Sequence, residues 1–307
     1  MTMKAWQIHN FGDADVLSLD DVQKPELAED ELLVRIRATS INPVDCKIRE
    51  GKFPKVGKED LPVILGRDVA GEVEKGNSNF EAGERVFGMP STDRGTYAEY
   101  IAMKPSGVAK IPNEIDFAVA AGVPLVALTA WQGLFDHGEL KDGERVLING
   151  AAGGVGHLAI QFAKQAGATV FATGRRQDKQ FLQELGADRA IDTDNESLDV
   201  IGDKVDLVFD LLGGEIGKAA WQHVKDKGRV ISTVEEPDAK AAGKPGVKTA
   251  FYLAEPNGEQ LAKVASMMKD GSVKLTVEDR VSFSDIPKAQ RELENAHTQG
   301  KIVVEMA

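Results

Sequence analysis

Ala151-Ala-Gly-Gly-Val-Gly156 follows the apolar run Arg145-Val-Leu-Ile-Asn149 and leads into His157-Leu-Ala-Ile-Gln-Phe-Ala-Lys164. Strand, glycine-rich turn and amphipathic helix in that order form the context of a dinucleotide-binding unit. Ala152, Gly153, Gly154 and Val155 would line the turn. Gly153 lets the backbone pass close to a pyrophosphate, and Gly156 lets the helix pack tightly on the strand. The free amides and positive dipole end of the helix would face the phosphates. Ala151 stands where the first glycine of the usual GxGxxG would be, so placement rather than the bare pattern carries the reading. A glycine-rich turn without a ligand is the other reading. His157, just inside the helix, is expected as a solvated first-turn side chain, with an approach to the diphosphate as the alternative.

The next apolar run, Thr169-Val-Phe-Ala-Thr173, ends in Gly174-Arg175-Arg176. An NAD-specific chain carries an acidic residue near Arg175 to hold the ribose 2′-hydroxyl. Here no carboxylate occurs from Phe171 to Gln177. Two guanidiniums can hold a 2′-phosphate through charge-assisted, often bidentate hydrogen bonds. NADPH is therefore the expected cofactor, with Gly174, Arg175 and Arg176 at its phosphate end. A solvated basic turn is the competing reading.

A chain of 307 residues exceeds one comfortable hydrophobic core and suggests two lobes. Its net charge of −12 argues against nucleic acid or an anionic membrane surface as partner. A single cysteine, Cys46, excludes an internal disulfide framework and a multi-cysteine zinc lobe. The start, Met1-Thr-Met-Lys-Ala-Trp6, lacks a basic segment followed by an apolar core, so no signal peptide and a cytoplasmic location are expected. Phe117 to Phe135 carries no charge and is almost long enough to span a bilayer, but it contains Gly122, Pro124 and Gly133. Two buried helical segments meeting at Pro124 are expected there rather than a membrane helix.

The N-terminal stretch of the chain reads as strands and turns. Glu31-Leu-Leu-Val-Arg-Ile-Arg-Ala38 alternates apolar and charged positions as a half-buried strand does. From about Asp116 apolar strands alternate with helical stretches: Val146–Asn149, Val170–Thr173, Ala190–Asp192, Val205–Asp210, Arg229–Ser232 and Lys248–Leu253. Six strands with crossover helices imply an α/β, doubly wound parallel sheet. The tail has no place in that sheet and is expected to return to the first domain. The boundaries so read are 1–115, 116–257 and 258–307.

At this point the chain resembles the medium-chain dehydrogenase/reductase superfamily, in its zinc-independent, zeta-crystallin-like quinone oxidoreductase branch. The resemblance rests on Ser40-Ile-Asn-Pro-Val-Asp45, Gly66-Arg-Asp-Val-Ala-Gly-Glu-Val73, Gly95-Thr-Tyr-Ala-Glu-Tyr100, Leu128-Thr-Ala-Trp-Gln132, the glycine turn, Glu255-Pro-Asn-Gly258 and Gly300-Lys-Ile-Val303. It covers nearly the whole length. It implies a GroES-like catalytic domain completed by the C-terminal tail, around a Rossmann cofactor domain, with substrate and nicotinamide meeting between the lobes.

The resemblance also marks departures. In the zinc alcohol dehydrogenases of the superfamily a cysteine ligand takes the place of Asn42, and a histidine ligand that of Arg67. The third ligand falls near Pro124–Leu128, where there is neither Cys nor His. No metal is expected. Without a Lewis acid, alcohol–ketone chemistry is poorly supported. A quinone, or the β-carbon of an α,β-unsaturated carbonyl, accepts hydride to give a delocalised anion that solvent can protonate. By the resemblance Asn42 lies beside the nicotinamide, Thr129 near nicotinamide and diphosphate, and Phe251, Tyr252 and Leu253 along the nicotinamide edge. Lys301 reaches back toward the cofactor. Asn42, Asp45 and Tyr252 are the candidate catalytic residues, although Asp45 also suits a cap and Tyr252 also suits packing.

The expected activity is NADPH-dependent, metal-independent reduction of a small electrophile. The alternatives are a dedicated enoyl or enone reductase and an NADPH-binding protein with little turnover. A homodimer is expected through the edge strand Val247–Leu253, with Lys248 as the reservation because edge lysines also prevent such pairing.

Overall fold

The computed structural model describes residues 1–306. Chain order begins with β1 (Thr2–Ile8), β2 (Leu17–Gln23), β3 (Leu32–Ile41), α1 (Pro43–Arg49) and β4 (Val63–Ile64). It continues with β5 (Val69–Lys75), β6 (Arg85–Gly88), β7 (Tyr100–Met103), β8 (Val108–Lys110), α2 (Phe117–Ala121) and α3 (Pro124–Trp131). Then follow β9 (Arg145–Asn149), α4 (Gly154–Gln165), β10 (Thr169–Gly174), α5 (Lys179–Glu184), β11 (Arg189–Asp192), β12 (Val205–Asp210) and α6 (Gly214–Ala220). The last are β13 (Val224–Ser232), β14 (Lys248–Phe251), α7 (Gly258–Lys269), β15 (Val277–Ser282), α8 (Ile286–Asn295) and β16 (Lys301–Glu305).

The chain divides into two compact units. One holds residues 1–125, 255–271 and 277–307, and the other holds 126–254 and 272–276. The change of pattern at Asp116 is thus a change of secondary structure and not of unit, because α2 packs on β3 and β5 of the first unit. Pro124 does separate α2 from α3, as its missing amide and fixed φ require. No helix among the described residues is long and apolar enough to cross a membrane.

In the first unit, β15-β16-β3-β5-β6-β8 form one sheet, with β7 also paired to β3. The alternation read over Glu31–Ala38 becomes β3, whose Leu32, Val34 and Ile36 enter a core with Val69, Val73, Val86 and Ile101. Strand β16 lies antiparallel to β3, with Ile302 opposite Ile41. That register carries the residue just before Ile302 to the end of β3, where the loop into α1 begins.

In the second unit the parallel sheet has the order β11-β10-β9-β12-β13-β14. Numbered from its own first strand this is 3-2-1-4-5-6, the doubly wound arrangement whose order reverses beside its first strand. Leu147, Phe171, Ile191, Val208 and Val230 fill one face of the sheet and exclude water from it. Strand β14 is an edge.

Candidate cofactor and active sites

The glycine turn leaves β9 at Gly150, which takes φ +74, a left-handed conformation that favours glycine. The left-handed residue therefore sits one place before Ala151, and Ala151 and Ala152 are buried. A Cβ on Gly156 would lie 2.5 Å from the Gly150 carbonyl oxygen and from Ala151 Cα, so close packing of helix on turn requires that glycine. Gly153 differs. A Cβ there would meet only the Gly150 carbonyl oxygen, at 3.6 Å. The protein's own packing does not demand glycine at this position, and the open space leaves room for a ligand to approach the backbone. No side chain caps α4 at Gly153, so its first-turn amides are left for a ligand. The site fits a dinucleotide.

His157 is not the solvated side chain expected from sequence. It is fully buried. Its Nδ1 donates to the Gly153 carbonyl, 3.1 Å away, and its Nε2 accepts from the Thr276 amide at 3.2 Å. It fastens the 272–276 segment to the cofactor helix instead of facing a phosphate.

Beyond β10 the backbone amide of Arg175 donates to the buried carboxylate of Asp178, at 2.8 Å, and that of Arg176 to Asp194, at 3.0 Å. Both arginine side chains are exposed and line a pocket with Gln177 and Asp194. Neither guanidinium has a hydrogen-bond or ion-pair partner among the described residues. In an acidic chain with many surface ion pairs, two adjacent unpaired guanidiniums form a site for an anion. Asp194 comes from the loop after β11, outside the stretch in which the sequence shows no acid.

Within the same unit, Thr129 and Tyr252 meet. The buried Tyr252 hydroxyl donates to the Thr129 carbonyl, and its ring stacks on His137 with centroids 4.5 Å apart. Burial pushes the phenol above its ordinary range. Its proton is thus committed to a backbone acceptor and is hard to remove. Phe251 is exposed at the end of β14, and Leu253 is half-buried.

In the first unit, Asn42 is the N-cap of α1 and Asp45 its third residue, whose carboxylate closes back on the Asn42 backbone amide. Asp45 Oδ2 accepts from the Asn42 amide and from the Tyr97 hydroxyl, each at 2.9 Å. Its Oδ1 is buried with no partner. Burial first, and the charge of Asp68 second, raise the Asp45 carboxyl to about 6.

The Asn42 side chain is held at both ends. Lys301 Nζ donates to Asn42 Oδ1 and to the Ile41 carbonyl, the latter at 2.9 Å. Asn42 Nδ2 donates to Asp68 Oδ2 at 2.7 Å. Asp68 also accepts from Ser40 Oγ at 2.5 Å and from the Leu125 amide at 2.6 Å. Lys301 and Asp68 stand 3.8 Å apart and are 3% and 0% exposed. Turning the carboxamide over would set an NH2 group against the ammonium, so the pair fixes its orientation. Burial lowers the Lys301 ammonium from its ordinary range.

Sequence reasoning singled out Asn42, Asp45 and Lys301 but missed Ser40 and Asp68 as members of this cluster. Both lie within quoted motifs, yet nothing local marks them as partners of a lysine at the far end of the chain. Arg67 is also among the surroundings. Its guanidinium donates to the carbonyls of Pro90, Ser91 and Arg94 at 2.7–3.3 Å, a structural clamp on that loop.

Residues 28–113 match the alcohol dehydrogenase GroES-like domain, and residues 185–304 match the zinc-binding dehydrogenase family. The NADPH-dependent alkenal/one oxidoreductase, chloroplastic, of Arabidopsis thaliana is 37% identical over 98% of this chain and 79% of its own length. The chloroplast envelope quinone oxidoreductase homolog of the same organism is 32% identical over 99% of this chain and 98% of its own. Among solved structures, the quinone oxidoreductase from Coxiella burnetii superposes with a TM-score of 0.93 at 34% identity, with all of both chains covered.

Proposed function

Because the chain belongs to the quinone oxidoreductase branch of the medium-chain dehydrogenase/reductase superfamily, we propose that it reduces a quinone or the double bond of an α,β-unsaturated carbonyl with NADPH. It is an NADPH-dependent oxidoreductase. The observation that carries the cofactor assignment is the pairing of an uncapped α4, open in front of Gly153, with the unpartnered guanidiniums of Arg175 and Arg176. NADPH supplies the hydride. Ala152, Gly154 and Val155 would hold the diphosphate through backbone amides, Gly153, whose own amide donates to the Gly150 carbonyl at 3.3 Å, would leave room for its close approach, and Gly174, Arg175 and Arg176 would hold the 2′-phosphate. We place Thr129, Phe251 and Leu253 along the nicotinamide half of the site.

Of the three candidate catalytic residues, the geometry favours Asn42. Asp45 Oδ2 is committed to capping α1 and to Tyr97, and the Tyr252 hydroxyl is committed to Thr129. Asn42 carries a carboxamide polarised by an ammonium on one end and a carboxylate on the other. Lys301 would act on the cofactor side of the site through the Asn42 carbonyl oxygen to which it donates. The anion formed on the acceptor is delocalised over its conjugated carbonyl, and solvent supplies the proton.

We further propose that turnover needs no metal. Asn42 offers a carboxamide where a thiolate ligand would stand, Arg67 is clamped on the Pro90, Ser91 and Arg94 carbonyls, and among the described residues no three His, Cys, Asp or Glu side chains stand together as ligands. Retention of activity after chelation supports this reading, and stoichiometric zinc whose removal abolishes turnover refutes it. The unpaired edge of β14 supports a homodimer. We place the enzyme in the cytoplasm, where a buried, unpaired Cys46 stays reduced.

The decisive experiment is NADPH oxidation followed at 340 nm against ortho- and para-quinones, enals and enones. Turnover with at least one class is expected. Tight NADPH binding without turnover on any of them replaces this reading with a cofactor-binding role.

A further inference from the structure

We propose that Asp194 sets the strength of the discrimination between phosphorylated and unphosphorylated cofactor. The inference rests on the assignment of Arg175 and Arg176 to the 2′-phosphate. Asp194 lies 18 residues beyond Arg176, yet it lines the same pocket as both arginines and Gln177. Its Oδ2 accepts from the Arg176 amide at 3.0 Å, and its own amide donates to Asp192 at 3.0 Å, so the carboxylate is held in place. Its Oδ1 has no partner among the described residues, and the residue is exposed in the pocket lining.

Two opposite effects follow from that placement. The Oδ2 bond ties the arginine-bearing turn to the loop after β11, which favours an ordered anion site. The charge on the same group repels a dianionic phosphate held by the neighbouring guanidiniums, and Oδ1 offers an acceptor suited to a free 2′-hydroxyl. Asp194 therefore moderates a preference that the two arginines would otherwise make steeper.

Asp194→Asn separates the two effects. It keeps an oxygen for the Arg176 amide, removes the charge and turns an NH2 group toward the pocket. The measurement is calorimetric binding of 2′,5′-ADP and of 5′-AMP to the whole protein, which is independent of turnover. The variant is expected to bind 2′,5′-ADP about threefold to tenfold more tightly, as removal of one nearby exposed charge predicts, and to bind 5′-AMP no more tightly than the unaltered protein, because the acceptor for a free 2′-hydroxyl is lost. Asp194→Ser should move in the same direction. The gain should shrink as salt is raised, because exposed charges are screened.

Unchanged or weaker 2′,5′-ADP binding in both variants overturns the inference, and equal weakening of both ligands marks Asp194 as a structural tie only. If the unaltered protein binds 2′,5′-ADP no better than 5′-AMP, the assignment of the arginines falls as well. If that preference is present, is abolished by Arg175→Ala/Arg176→Ala, and does not respond to Asp194→Asn, then only the role of Asp194 falls.

Discussion

Replacing Asp45 by asparagine should change the pH dependence of stability in a direction the structure dictates. Asp45 is completely buried, its Oδ1 has no partner, and its carboxyl is raised from 3.8 to about 6, by burial first and by Asp68 second. Hydrogen bonds from Tyr97 and the Asn42 amide, with the charge of Lys301, only partly oppose this. A raised carboxyl means that the folded protein holds the proton more tightly than the unfolded chain. Ionisation of the unfolded chain through pH 3.8 therefore lowers stability, and the loss is complete above pH 6. At 1.36 kcal/mol per unit, the full penalty is roughly 3 kcal/mol, of which roughly 2–3 kcal/mol develops between pH 4 and pH 8. Asp45→Asn lacks this titration. Burying its NH2 group where Oδ1 has no partner carries a cost independent of pH, which cancels when the two pH values are compared. Urea unfolding followed by tryptophan fluorescence at pH 4, 5, 6, 7 and 8 gives the difference between variant and unaltered protein. That difference should move in favour of the variant by roughly 2–3 kcal/mol as pH rises. A difference constant with pH, or one that moves toward the unaltered protein, refutes the reasoning.

Arg175→Ala/Arg176→Ala should raise the NADPH Michaelis constant by tens-fold or more and leave NADH nearly unchanged, since charge-assisted bonds contribute roughly 1.5–3 kcal/mol each. Steady-state kinetics with both cofactors checks it. Lys301→Met strands the buried Asp68 carboxylate and should cost roughly 3–5 kcal/mol in chemical denaturation, whereas adding Asp68→Asn should recover some of that loss. Cys46 is 4% exposed and its thiol is pushed up to about 12 by burial. Incubation of the native protein with an enal, followed by mass spectrometry, should therefore show no adduct on Cys46 while the urea-unfolded chain is modified there. Light scattering at micromolar concentration should give twice the 33.1 kDa chain mass, and Thr249→Pro, which removes an edge amide, should lower it toward the monomer.

The second unit was legible in the sequence because its determinants are local. A parallel strand buried on both faces is a continuous apolar run, a crossover helix is a run of period 3.6, and a glycine-rich turn between them needs only its own few residues. The position of Arg175 and Arg176 just past the end of β10 was legible for the same reason, since they directly follow Gly174. The buried cluster around Asn42 was not. Lys301 reaches Asn42 across 259 positions because β16 pairs with β3 in a register that the sequence of neither strand states. Asp68, Ser40 and the Leu125 amide join through the packing of other elements on the same strand end. His157 became a buried tie because the 272–276 segment packs on α4, and the Tyr252 hydroxyl found the Thr129 carbonyl across 123 positions. Asp194 entered the arginine pocket from the neighbouring parallel strand. Backbone conformation and hydrophobic period are properties of adjacent residues, so sequence determines them. Which polar side chains share one buried or anion-binding site depends on register and packing between distant segments, which only the tertiary structure decides.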